Sequence, residues 1–149
     1  MRMHGWLNSP ARPIGLGLAV ALGIGLSACS STPPTPYEKA AGEYEGVLPC
    51  ADCSGINVDL QMMNMDDTGG AYVLRSLYQG KSAEPMVTKG NYLVLEDAGP
   101  QQLPIIYELK GAGGNTIYYL RPLDNGDLEV LDTGMQAMPS GADMTLKRQ

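Results

Sequence analysis

Apolar and polar residues alternate along several segments of this chain. The clearest run covers residues 56–62, where isoleucine, valine, leucine and methionine are separated by polar residues. Successive side chains of a β-strand point to opposite faces, so this alternation predicts a strand with one buried face. No segment shows the apolar spacing of a long amphipathic helix. Further strand candidates are residues 72–78, 93–95, 105–110, 116–120, 128–130 and 144–146.

The segments between these runs carry the residues that tight turns require. Each contains glycine, asparagine or aspartate, which accept the positive φ angles of hairpin turns. They are residues 66–70, 98–100, 111–115 and 124–127. Short strands at this spacing predict an all-β domain, either a two-sheet sandwich or a closed barrel. Because closure removes exposed strand edges, we expect a single domain that is a small antiparallel meander closed into a β-barrel.

Residues 1–28 resemble a bacterial lipoprotein signal peptide. Arg2 and Arg12 provide a positive start, and the apolar run over residues 14–26 is too short to span a bilayer as a helix. It ends in the sequence LSAC at residues 26–29, which resembles a lipobox and predicts lipidation of Cys29. An ordinary cleavage site beside an unrelated cysteine is the alternative.

A lipidated Cys29 would make the membrane a partner through acyl chains such as palmitate, since several chains anchor a protein stably. Ser30 follows this cysteine where lipoproteins retained at the inner membrane carry aspartate, so we expect transport to the outer membrane. Residues 29–39 begin with serines, threonines and prolines and are predicted to be an extended tether. Residues 40–149 are then expected to form the folded domain, facing the periplasm.

Removal of the signal peptide changes the amino-acid composition of the chain that remains. Eight basic and sixteen acidic residues remain, a net charge of −8, which disfavours binding to nucleic acid. No histidine, tryptophan or phenylalanine remains, so catalysis by a serine and a histidine is excluded and the protein is predicted not to be an enzyme.

Tyrosine must supply the bulk of the core in such a chain, with hydroxyl groups that reach the rim. Filling of the barrel by its own side chains is the simple expectation, and a tyrosine-lined cavity for a ligand is the alternative. The candidates are Tyr44, Tyr72, Tyr78, Tyr92, Tyr107 and Tyr118.

Cys50 and Cys53 are the two cysteines left after lipidation, and they form a C-x-x-C pair in an exported protein. A structural disulfide is one interpretation, because oxidising compartments favour it. The other is redox sensing or contact with copper, because two thiolates suit soft Cu(I). Zinc would require four ligands, and thiol–disulfide catalysis is disfavoured by the negative charge of Asp52 between the sulfurs. Methionines that could add thioether ligands are Met62, Met63, Met65, Met135, Met138 and Met144.

The start of the domain resembles the N-terminal domain of the NlpE family of envelope lipoproteins, which are linked to copper resistance and to surface-contact stress signalling. The resemblance rests on the pattern G-x-Y-x-G-x-L-P-C-A-D-C-x-G-I over residues 42–56, with weaker echoes at residues 78–80 and 128–134. It implies a lipocalin-like barrel on the periplasmic side of the outer membrane. The best-known members carry a second, C-terminal barrel, and this chain is expected to correspond to the N-terminal domain alone.

The function predicted from these features is copper or redox homeostasis, or stress sensing, in the envelope. Cys50 and Cys53 would be the responsive pair, copper a possible cofactor, and an envelope protein a possible partner. Two alternatives stay open: a lipocalin-like carrier of a small apolar ligand, and a structural envelope lipoprotein with an inert disulfide.

Overall fold

A computed structural model describes residues 32–139 and 141–149. Eight antiparallel strands follow one another around a closed barrel, and the last strand pairs with the first through Tyr44 opposite Arg148 and Glu45 opposite Lys147. This confirms the predicted all-β, single-domain barrel. The elements are α1 (Pro36–Ala40), β1 (Gly42–Leu48), β2 (Ile56–Asp66), β3 (Gly69–Tyr78), β4 (Met86–Ala98), β5 (Leu103–Lys110), β6 (Thr116–Pro122), β7 (Leu128–Leu131) and β8 (Thr145–Arg148).

The alternating pattern of the sequence explains the register of the strands. Leu60 on β2 lies opposite Tyr44 on β1 and opposite Leu74 on β3, and all three side chains are buried. A slip of one residue would turn this whole apolar set toward solvent, so the burial of one face specifies the pairing.

The barrel interior is filled by the predicted tyrosines together with aliphatic side chains. Tyr44, Tyr72, Tyr92 and Tyr107 are buried, whereas Tyr78 and Tyr118 are only partly so. The ring of Tyr92 fits because residue 70 is glycine: a Cβ atom there would lie 2.1 Å from the ring. The interior therefore depends on a few large rings, and the ring of Tyr92 has room because its neighbour at position 70 has no side chain.

The short helix α1 was not expected from the sequence, and it corrects the end of the predicted tether. Thr35 caps the helix, since its hydroxyl accepts from the N–H of Glu38 at 3.2 Å and the Glu38 carboxylate accepts from the N–H of Thr35 at 2.7 Å. Tyr37 and Ala40 are buried in the core. Residues 36–39 thus belong to the folded domain, because burial of Tyr37 outweighs the extended preference of a proline-rich segment.

Core tyrosines hold this helix against one end of the barrel. The hydroxyl groups of Tyr44, Tyr92 and Tyr107 donate to the main-chain carbonyls of Ala40, Tyr37 and Pro36 at 2.9, 3.2 and 3.2 Å. We call this the helix end; it also holds the β2–β3, β4–β5 and β6–β7 turns. The opposite end, called the disulfide end, holds the connections at residues 49–55, 79–85, 111–115 and 132–144.

The predicted signal peptide and Cys29 lie outside the described residues. Within residues 32–139 and 141–149, no helix combines the length and the apolar character needed to cross a bilayer.

Candidate functional site at the disulfide end

A disulfide bond joins Cys50 and Cys53 in the connection between β1 and β2. The Cα atoms of the two residues are 5.3 Å apart, within the usual range for bridged cysteines. Both residues are partly exposed, and Ala51 and Asp52 between them are exposed. The bond therefore lies at the surface of the barrel end rather than in the core.

A second loop, residues 79–85 between β3 and β4, lies beside the disulfide. The N–H of Gln79 donates to the main-chain carbonyl of Gly55 at 3.0 Å, and Lys81 forms an ion pair with Asp52. Gly80 between them has a φ of 78°, a left-handed conformation that glycine adopts without strain. Lys81 was not predicted from the sequence, because 29 residues separate it from Asp52. The weaker resemblance to the NlpE family at residues 78–80 was the only sequence feature that pointed to this loop.

The two loops border a shallow cleft of about 470 Å³ that is wide open to solvent. Cys53 lines this cleft, whereas Cys50 is absent from its described lining. The carboxylate of Asp52 and the ammonium group of Lys81 supply the charges at its rim. The lining residues are Ala51, Asp52, Cys53, Ser54, Gln79, Gly80 and Lys81.

Potential metal donors converge in the disulfide loop. One ligand atom from each of Cys50, Asp52 and Cys53 lies within 4.8 Å of the others. Oδ1 of Asp52 is 3.6 Å from Sγ of Cys50, and the main-chain oxygen of Gly55 is 3.4 Å from Sγ of Cys53. Reduction of the disulfide would free two soft sulfur donors beside one hard oxygen. Two thiolates suit Cu(I), while a closed tetrahedral zinc site would need further ligands.

Four of the six methionines named from the sequence lie away from this loop. Met62 is buried in the barrel core, as expected for its strand face. Met63 and Met65 are exposed near the β2–β3 turn, at the helix end. A Cβ atom on Gly99, in the β4–β5 turn, would lie 3.0 Å from Cβ of Met135, so Met135 packs on that turn.

Met138 and Met144 are the two that the fold brings to the disulfide end. They line a pocket of about 410 Å³ together with Pro49, the residue that precedes Cys50. Tyr118 lines the same pocket, and burial raises the pKa of its hydroxyl group. Sequence reasoning did not include Met86, which is exposed at the start of β4, directly after the loop that holds Lys81.

Comparison with known proteins identifies the class to which this barrel and its C-x-x-C loop belong. The family model for the NlpE N-terminal domain matches residues 44–141, a span that contains both cysteines of the disulfide. The chain belongs to the NlpE N-terminal domain family. No protein with a curated description matches the chain significantly.

Two solved structures are similar to this chain. A predicted lipoprotein from Shewanella oneidensis is 28% identical, with a TM-score of 0.52; the match covers 77% of this chain and 95% of that one. The Cpx pathway activator NlpE from Escherichia coli is 25% identical, with a TM-score of 0.47; the match covers 72% of this chain and 50% of that one. The matched region is thus half of the E. coli protein.

Proposed function

We propose that this chain is an outer-membrane lipoprotein, anchored through Cys29, that serves copper or redox homeostasis or stress sensing in the envelope. Cys50 and Cys53 are its responsive pair, and its action is not enzymatic. The observation that carries this proposal is the position of the disulfide in an exposed loop, beside a cleft, in a member of the NlpE N-terminal domain family.

The course of the chain supports this assignment. Helix α1 leads into β1 at the helix end, and β1 runs directly to the disulfide loop at the other end. The six main-chain steps from Cys29 to Thr35 can span at most about 21 Å. A chain anchored at Cys29 would therefore enter the barrel at the helix end and present Cys50 and Cys53 on the side away from its point of entry. An envelope protein that responds to the pair would reach it there.

Copper contact is tested by titration of the reduced protein with Cu(I) against a competing chelator. The expected result is an affinity that falls strongly in the Cys50→Ser, Cys53→Ser double variant, because both soft donors are gone. Met144→Leu tests the pocket beside Pro49, and Met63→Leu is its matched control at the helix end. An affinity for Cu(I) unchanged in the double cysteine variant would remove copper from the proposal.

Redox response is tested by the reduction potential of the pair. A potential below about −300 mV would favour the alternative of an inert structural bond, whereas a higher value supports a bond that responds to its surroundings. The cysteine oxidation state and the bound metal should be measured in the same preparation, purified from its own envelope.

Anchoring is tested independently of the barrel. Mass spectrometry of the purified protein should show a chain that begins at Cys29 and carries acyl groups, and Cys29→Ala should abolish its fractionation with the outer membrane. A free Cys29 thiol on an intact N-terminus would contradict this part.

The carrier alternative has less support from the barrel interior. Tyr44, Tyr72 and Tyr92 are each at most 1% exposed, and aliphatic side chains fill the space between them. Native mass spectrometry that found an organic molecule bound to the protein, and no metal, would revive it.

A further inference from the structure

The geometry points to Cys53 as the sulfur at which an incoming thiolate opens the disulfide, with the cleft between residues 51–54 and 79–81 as its entrance and Lys81 as its positioning residue. The inference rests on the proposed redox function and adds the chemical class of the reductant, the side of approach and the order in which the sulfurs react.

The two sulfurs differ in their access to the cleft. Cys53 lines the cleft, and the described lining does not include Cys50. Gly80 forms part of the opposite wall, and a Cβ atom placed on it would meet nothing within 4 Å. The open space at Gly80 leaves room for a small thiol, or the exposed thiol of a protein loop, to enter the cleft that Cys53 lines.

Charge also acts at this cleft. The attacking group is an anion, and the carboxylate of Asp52, which lines the cleft and has an oxygen within 4.8 Å of both sulfurs, repels it. Lys81 pairs with this carboxylate, so it offsets both the repulsion of the attacking anion and the negative charge that would oppose a thiolate on Cys50.

The reaction that follows is thiol–disulfide exchange. The thiolate sulfur forms a bond with Sγ of Cys53 while the bond between Cys50 and Cys53 breaks. The electron pair leaves with Sγ of Cys50, which takes a proton from water. A second thiolate then attacks the reductant's sulfur in the mixed disulfide and releases Cys53 as a thiolate. Two reductant thiols are oxidised to one disulfide, and the cysteine pair is reduced.

The test traps the mixed disulfide. The purified full chain is mixed with 2-mercaptoethanesulfonate, quenched early with N-ethylmaleimide and mapped by mass spectrometry. The expected product carries the sulfonate thiol on Cys53 and the maleimide on Cys50, in at least tenfold excess over the reverse. In the second arm of the experiment, the reductant is a dithiol protein whose second cysteine is replaced by serine. A mixed disulfide that forms only in this arm would identify a protein as the reductant. This mixed disulfide should also form on Cys53.

The role of Lys81 has its own readout, the second-order rate constant for opening by the sulfonate thiol. We expect Lys81→Ala to lower it about threefold at low ionic strength, with the difference shrinking as salt rises, because exposed charges are screened. Lys81→Arg should restore the rate. Lys89→Ala, an exposed lysine on β4, is the matched control and should leave it unchanged. Equal effects of Lys81→Ala and Lys89→Ala would refute the positioning role.

The outcomes separate this inference from the function on which it rests. An adduct mainly on Cys50, or spread evenly over both sulfurs, overturns the assignment of Cys53 while the redox function stands. A bond that neither thiol opens would overturn the redox function itself.

Discussion

Three tyrosine hydroxyls bind main-chain carbonyls of α1 at the helix end, whereas one main-chain hydrogen bond and an exposed ion pair join the two loops at the disulfide end. The rings of Tyr37, Tyr92 and Tyr107 also pack together at the helix end, with centroids 5.6 and 6.0 Å apart. Arg148 adds hydrogen bonds from β8 to the main-chain oxygens of Lys39 and Ala41.

This difference separates stability from reactivity within one small barrel. At the helix end, buried aromatic area and satisfied polar groups contribute free energy of folding. At the disulfide end the side chains that carry the chemistry are partly or fully exposed, so a change there costs little stability. We therefore expect substitutions at the two ends to have effects on different measurements.

The largest expected effect is the loss of stability at high pH. The pKa values of Tyr92 and Tyr107 are both raised to about 12, from 10 for an exposed tyrosine, mainly because the two hydroxyl groups are buried. As the pH rises, the tyrosines of the unfolded chain therefore ionise before those of the folded chain. The stability that the two neutral hydroxyl groups give the folded state is fully present below pH 10 and is lost as the pH rises through 12. Two groups shifted by about two units each correspond to on the order of 5 kcal/mol. Urea unfolding from pH 8 to 12 measures this.

Tyr92→Phe is the control for the alkaline loss. It keeps the ring and removes one of the two groups with the largest shifts, so the fall in unfolding free energy between pH 10 and 12 should be clearly smaller than in the wild type, while the other buried tyrosines still contribute. A free energy of unfolding that stays flat over this range in the wild type would show that these hydroxyls are not buried at the helix end.

Truncation of Tyr92 itself should have the next largest effect. The side chain is fully buried, contacts the rings of Tyr37 and Tyr107, and donates to a carbonyl of α1. Tyr92→Ala should lower the free energy of unfolding by about 3–5 kcal/mol. Tyr78→Ala, at a partly exposed tyrosine, should cost clearly less; equal losses in urea unfolding would argue against a core centred on the helix end.

Much of this barrel could be read from the sequence, because its strands alternate and its turns carry glycine, asparagine or aspartate. The register of β2 against β1 and β3 follows from burying one face, as the run over residues 56–62 predicted. The large side chains could also be named, since tyrosine was the only large aromatic left after the signal peptide.

What the sequence could not supply are the contacts between distant segments. Helix α1 has only five residues, too few for a periodic signal, and its position depends on hydroxyls from Tyr92 and Tyr107, more than 50 residues away. The pairing of Lys81 with Asp52 and the approach of Met135 to Gly99 have the same origin. Each requires strands distant in sequence to pair before the partners meet.

Removal of the disulfide should affect stability less than Tyr92→Ala. The bond closes a loop of four residues, for which the loss of chain entropy in the unfolded state is at most about 2 kcal/mol. The Cys50→Ser, Cys53→Ser double variant should therefore stay folded, with an unfolding free energy lower by that amount or less. A fall in unfolding free energy of more than about 4 kcal/mol would mean that the disulfide end also contributes strongly to stability, which would contradict the difference between the two ends.

The smallest effect on stability is expected from Lys81→Ala. Its ion pair with Asp52 joins side chains that are 46% and 72% exposed, and exposed pairs contribute about 0–1 kcal/mol. Urea unfolding should thus barely distinguish this variant from Lys89→Ala, whereas the rate of disulfide opening should distinguish them clearly. A residue that changes the rate without changing the stability is what the contrast between the ends requires. A large loss of stability in Lys81→Ala alone would instead make the ion pair a structural clamp.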